Sequence, residues 1–103
     1  MANEEQKMNE DEMEERLDQL SESWFIDEDD MTLFGQFAFK DFPEALQFVN
    51  DVGAIAERRK HHPEIHISFN EVIIETWTHD VEAVTAKDFE LAEEIDGLAA
   101  SGQ

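Results

Sequence analysis

A chain of 103 residues with 41% hydrophobic content folds as one domain with a modest core, and having no cysteine excludes disulfides and thiolate metal sites. Its 27 acidic residues against 7 basic ones give a formal net charge of −20, which excludes direct binding to nucleic-acid phosphates or to an anionic membrane surface. No apolar run approaches the ~18 residues of a membrane helix and no secretory segment opens the chain, so a cytoplasmic location is the expectation.

The acidity is not confined to a tail: residues 1–30 carry 13 acids and two bases, residues 31–103 carry 14 and five. Such a composition resembles the cytosolic proteins of salt-loving microbes, and equally fits an ordinary soluble acidic protein. Residues 1–8 read as a disordered acidic N-terminus. From Asn9, the stripe Met13, Leu17 and Leu20 among Glu and Asp predicts an amphipathic helix. Trp24-Phe25-Ile26 predicts a short strand and Asp27 to Asp30 a solvated turn. Leu33 to Lys40 predicts a second strand, with Leu33, Gly35, Phe37 and Phe39 on one face, Phe34 and Ala38 on the other.

Asp41 caps the next helix, with Glu44 three residues on and Pro43 in the first turn. Phe42, Ala45, Leu46, Val49, Val52 and Ala56 keep helical spacing through to Arg59. Pro63 disfavours helical dihedrals at His62, so the chain turns extended there. Ile65 to Phe69 alternates as a half-buried strand, and the β-branched run Val72 to Thr78 predicts its partner. With Asn70-Glu71 as a two-residue loop, Phe69 faces Val72, Ile67 faces Ile74, Ile65 faces Thr76 and His66 faces Glu75. Continued to its open end, that register sets His62 opposite His79, and a one-residue bulge would bring His61 there instead. Thr85 caps a last helix with Asp88 in its first turn, presenting Phe89, Ala92 and Ile95 inward, and residues 99–103 read as a flexible tail. The fold class is α+β: a four-stranded antiparallel sheet with three helices on one face, in the order α-β-β-α-β-β-α, spanning residues 9–98.

Three of the four histidines, His61, His62 and His79, thus gather at one end of the hairpin. Imidazole, with an unperturbed pKa near ~6.5, gives or takes a proton around neutral pH. Three readings follow from the residues: acid–base catalysis, a zinc site made of these imidazoles, or solvated histidines at two element ends. Glu57, one turn before His61, either orients an imidazole or is a surface carboxylate beside Arg58 and Lys60. Trp77 shares the parity of His79 and either floors a planar ligand or packs in the sheet.

The combination Phe37-Ala38-Phe39-Lys40-Asp41-Phe42, Ala45, Phe48-Val49, Glu57, His61-His62-Pro63-Glu64, Asn70, Val72, Thr78-His79, Thr85, Asp88, Leu91-Ala92 and Ile95-Asp96 resembles the pterin-4a-carbinolamine dehydratase family, also called dimerisation cofactors. The resemblance implies an enzyme that dehydrates 4a-hydroxytetrahydropterin to quinonoid dihydropterin in tetrahydrobiopterin recycling. It implies no metal or other cofactor, a pterin substrate, and a homodimer or homotetramer. It also implies His61 and His79 as general acids and His62 as a substrate-binding residue or base, with Glu57, Pro63, Trp77, Thr78 and Asp80 around the substrate. The alternative it carries is a non-catalytic dimerisation or assembly module, or a transcriptional coactivator, with the first helix as partner surface. The chain departs from the family pattern in two places: Glu82-Ala83 stand where glycines are usual after Thr-His, and Phe69 stands where Tyr is common.

Overall fold

The computed structural model describes residues 7–102 of the chain; residues 1–6 of the expected disordered segment and residue 103 of the expected tail lie outside them. Three helices, α1 (Glu10–Leu17), α2 (Phe42–Arg59) and α3 (Ala86–Gly102), accompany four strands, β1 (Trp24–Asp27), β2 (Thr32–Ala38), β3 (Glu64–Ser68) and β4 (Glu71–Thr76). The order is α-β-β-α-β-β-α, and every strand pairs antiparallel in one sheet, β1-β2-β4-β3. Met8, which the sequence assigns to the disordered start, donates its N–H to Val84 O and packs on the core. At the other end α3 runs on to Gly102 rather than stopping at 98, through alanines that carry high helix propensity.

Local chemistry accounts for the helix starts. Asn9 and Glu12 form a reciprocal capping box on α1. Asp41 accepts from Glu44 N–H, but Glu44 reaches back to Lys40 N–H rather than to the cap residue itself. Lys60 closes α2 with φ 57° in the left-handed region, and its N–H bonds back to Ala56 O and Glu57 O. That reversal, followed by Pro63, is what throws His61 and His62 off the helix axis.

The hairpin register differs from the expected one by two residues. Ile67 faces Val72, Ile65 faces Ile74, and His66 faces Ile73, not Glu75; Glu64 is the residue opposite Glu75. The loop is Phe69-Asn70, with Phe69 at φ 52°. The cause is Asn70: its carbonyl accepts from Phe39 N–H at 2.8 Å and its side-chain amide donates to Phe39 O at 2.8 Å. Those bonds continue the β2–β4 ladder one step past Ala38–Glu71 and commit Asn70 to β2, so the reversal falls one residue earlier. A slip of two preserves side-chain parity, so the buried face is unchanged.

That face carries Leu33, Phe37, Val72 and Ile74 against Phe48, Val52 and Ile55 of α2 and Phe89, Leu91 and Ile95 of α3, all buried. Gly35 is there for space: a Cβ would lie 2.8 Å from the Trp24 ring packed over it. Trp24 Nε1 donates to Asp96 Oδ1 at 2.9 Å, and the same carboxylate accepts from Ser21 N–H and Oγ–H at 2.8 Å each. This ties the approach to β1 onto α3. Met13 of α1 is buried in the core, with Leu17 and Leu20 packed against it, so the stripe on the first helix is largely used within the chain.

Candidate active site

The end of α2, the end of β4 and the start of α3 meet around one cleft. It is lined by Lys60, His61, His62, Thr78, His79, Asp80 and Lys87. The three histidines that the sequence singles out do converge, though not across a ladder: β3 begins only at Glu64 and β4 ends at Thr76, so all three lie on the connections beyond the strands. Two of the chain's four lysines line this cleft, making it a basic spot on a very acidic molecule.

Asp88 organises the cleft from beneath. It is fully buried, and each carboxylate oxygen has two partners. Thr76 Oγ–H donates to Oδ1 at 2.6 Å, and His61 Nε2 lies 2.6 Å from the same oxygen. Thr78 Oγ–H and Thr85 N–H each donate to Oδ2 at 2.9 Å. A carboxylate only accepts, so His61 donates through Nε2, which leaves Nδ1 as the nitrogen not engaged by Asp88. The threonines form a relay: Lys87 N–H donates to Thr85 Oγ, and Thr85 Oγ–H to Thr78 Oγ at 2.6 Å, because the Thr78 proton is committed to Asp88. In the sequence, Thr85-x-x-Asp88 reads as a helix cap. It is one, since Asp88 caps Thr85 N–H, but it also fixes the orientation of His61. Only the convergence of four residues from three segments on Asp88 reveals that role.

Glu57 engages His62 rather than His61, with Oε2 2.7 Å from Nε2, and both side chains are exposed. The left-handed residue Lys60 turns the chain back so that the contact spans five residues rather than one helical turn. His79 stacks on Trp77, ring centroids 4.7 Å apart and planes 15° from parallel. One face of the indole is therefore covered by His79. Trp77 lines a neighbouring cleft that shares His79 with the first. Pro63 does not line the histidine cleft; its position serves the turn into β3.

The loop after His79 keeps a left-handed residue without glycine. Glu82 adopts φ 52°, Thr78 and Ala83 pair as an isolated bridge, and Glu82 N–H bonds to His79 O at 3.2 Å. A tight turn is thus retained beside His79 at a conformational cost of about 1–2 kcal/mol for a residue bearing Cβ.

Among known proteins, the family model described as pterin 4 alpha carbinolamine dehydratase matches residues 6–98. A Rickettsia bellii protein, named provisionally as a pterin-4-alpha-carbinolamine dehydratase, is 37% identical over 87 residues, covering 84% of this chain and 76% of that protein. A Brucella melitensis crystal structure described as a transcriptional coactivator/pterin dehydratase superposes with a TM-score of 0.86 at 31% identity, covering 91% of this chain and 99% of that one. A pterin dehydratase-like protein identified as a RuBisCO assembly factor of the alpha-carboxysome shares the fold at TM-score 0.65 and 24% identity, over 75% of this chain and 89% of that one. With the family model matching residues 6–98 of its 103, the chain belongs to the pterin 4 alpha carbinolamine dehydratase family.

Proposed function

We propose that the protein dehydrates 4a-hydroxytetrahydropterin to quinonoid dihydropterin by histidine acid–base catalysis. The observation that carries this reading is the convergence of His61, His62 and His79 on one cleft, with His61 held by the buried Asp88. Loss of water from a carbinolamine needs a proton delivered to the departing hydroxyl and another removed from the ring nitrogen. His61 and His79 serve as acids toward the hydroxyl, and His62, paired with Glu57, takes the nitrogen proton. Each such transfer contributes about 10²–10⁴-fold. Lys60 and Lys87 suit the polar, electron-rich edge of a pterin, and Thr78 and Asp80 offer hydrogen-bonding groups on the same wall.

The test is dehydration of freshly made 4a-hydroxytetrahydropterin, measured against the buffer rate between pH 6 and 8. His79→Gln, which keeps bulk and polarity, should slow dehydration by about 10²-fold or more while pterin binding weakens less. His66→Gln, with His66 facing Ile73 on the exposed side of the sheet, should leave the rate unchanged. Wild-type turnover no faster than buffer would discard the enzyme in favour of a binding or assembly module.

The reading includes self-association, which two features support. Strands β1 and β3 are open edges of the sheet. On α2, Phe42 and Leu46 are large apolar side chains left exposed one turn apart. Light scattering at micromolar protein in high salt should give a dimer or larger, and a mass of 11.9 kDa, that of one chain, would contradict it.

A further inference from the structure

The outer face of the sheet, away from the helices, carries a cluster that the dehydratase reading does not use. Glu64 and His66 are two residues apart on β3 and so share a face, and Glu75 of β4 lies directly opposite Glu64. One ligand atom from each of Glu64, His66 and Glu75 falls within 4.8 Å of the other two. We propose that these three side chains bind a divalent first-row transition ion such as Zn²⁺.

Two observations support the site. The donor set, one imidazole nitrogen and two carboxylate oxygens, suits Zn²⁺ with water in the remaining position. Bonds of about 2.1 Å in tetrahedral geometry put ligand atoms roughly 3.4 Å apart, which the exposed ends of Glu64 and His66 reach toward the half-buried Glu75 by small rotations. Second, two carboxylates face each other across a ladder of a chain carrying −20, an arrangement that is destabilising unless a cation lies between them. Glu64 Oε1 lies 3.8 Å from His66 Nε2, a contact that a shared metal would replace.

The experiment is Zn²⁺ titration of chelator-treated full chain, by calorimetry and by melting temperature, with Mg²⁺ in parallel. One Zn²⁺ per chain is expected, with affinity reduced at least about tenfold in His66→Gln and in Glu75→Gln, since even outer-shell losses weaken metal sites 10–100-fold. His79→Gln should bind Zn²⁺ as wild type does. In chelator, Glu75→Gln should melt no lower than wild type, because it removes a like-charge contact; this shows that any lost binding is not lost folding. Unchanged Zn²⁺ affinity in His66→Gln and Glu75→Gln overturns the site. So does loss of binding in His79→Gln, which would place the ion on the histidine cleft instead. An equal melting-temperature rise with Mg²⁺ would reduce the effect to charge screening and also overturn it.

Discussion

At the scale of single residues, Asp88 sets the terms of the cleft. A fully buried carboxylate is tolerated only when its lone pairs are filled, and here Thr76, Thr78, Thr85 and His61 fill them. Asp88→Asn keeps the shape but presents an amide N–H₂ to groups that themselves donate. At least one donor then loses its acceptor in a site without solvent. The expected cost is about 1.5–3 kcal/mol in unfolding free energy, the range for hydrogen bonds to a charged group. Because His61 loses the partner that fixes its tautomer, dehydration should fall further than a stability loss alone explains. Chemical denaturation and the dehydration assay on the same preparation check both parts: full activity in a destabilised Asp88→Asn would show that the carboxylate supports the fold and not His61.

At the scale of elements, α2 and α3 are joined on the surface by Arg58 and Arg59, both bonded to Glu94, with Arg59 also 3.3 Å from Glu90. Hydrogen bonds from Arg58 and then Arg59 hold the Glu94 carboxyl below its ordinary value, and the Glu94 bond raises that of Arg59. A carboxyl lowered in the folded state stabilises fully above its unfolded pKa, near ~4.3, and loses that contribution as pH falls through the folded value. The raised Arg59 keeps its charge throughout this range and adds no pH dependence. Comparing wild type with Glu94→Gln, the wild-type advantage should be about 0.5–1 kcal/mol at pH 7, the scale of solvent-facing pairs. It should shrink toward zero below pH ~4, and an advantage that grows on acidification would contradict the assignment. Elements were also where the amino-acid order was most legible. Period-two and helical spacing located every strand and helix, because parity and amphipathicity are local properties. The hairpin register was not legible, since it depends on Asn70 bonding to Phe39, 31 residues away, and no hairpin rule contains that bond. The same limit applied to the cleft. Three histidines could be placed near one another from the chain alone, whereas the attachment of Glu57 to His62 followed from the left-handed turn at Lys60.

At the scale of the whole molecule, charge dominates. A body of 103 residues at −20 repels itself, and the ion pairs described above engage few of its carboxylates. Pairs such as Glu64 and Glu75 bring that repulsion into the sheet itself. Unfolding spreads the same charges apart, so the folded state bears most of the penalty, and added salt relieves it. The Debye length falls from ~10 Å at 0.1 M to ~3 Å at 1 M, which is from several side-chain spacings to less than one. The melting temperature should therefore rise by at least about 5 °C between 0.1 and 1 M NaCl, since 1 kcal/mol is worth ~4–8 °C in a domain near this size. Screening makes most of that gain at low concentration, whereas exclusion of salt from the surface keeps adding stability beyond 1 M and does so more strongly with sulfate. Calorimetry in chelator across NaCl and sodium sulfate separates the two. A melting temperature that is flat between 0.1 and 1 M NaCl would show that the acidic surface costs the fold nothing and would remove the likeness to proteins of salt-loving cells.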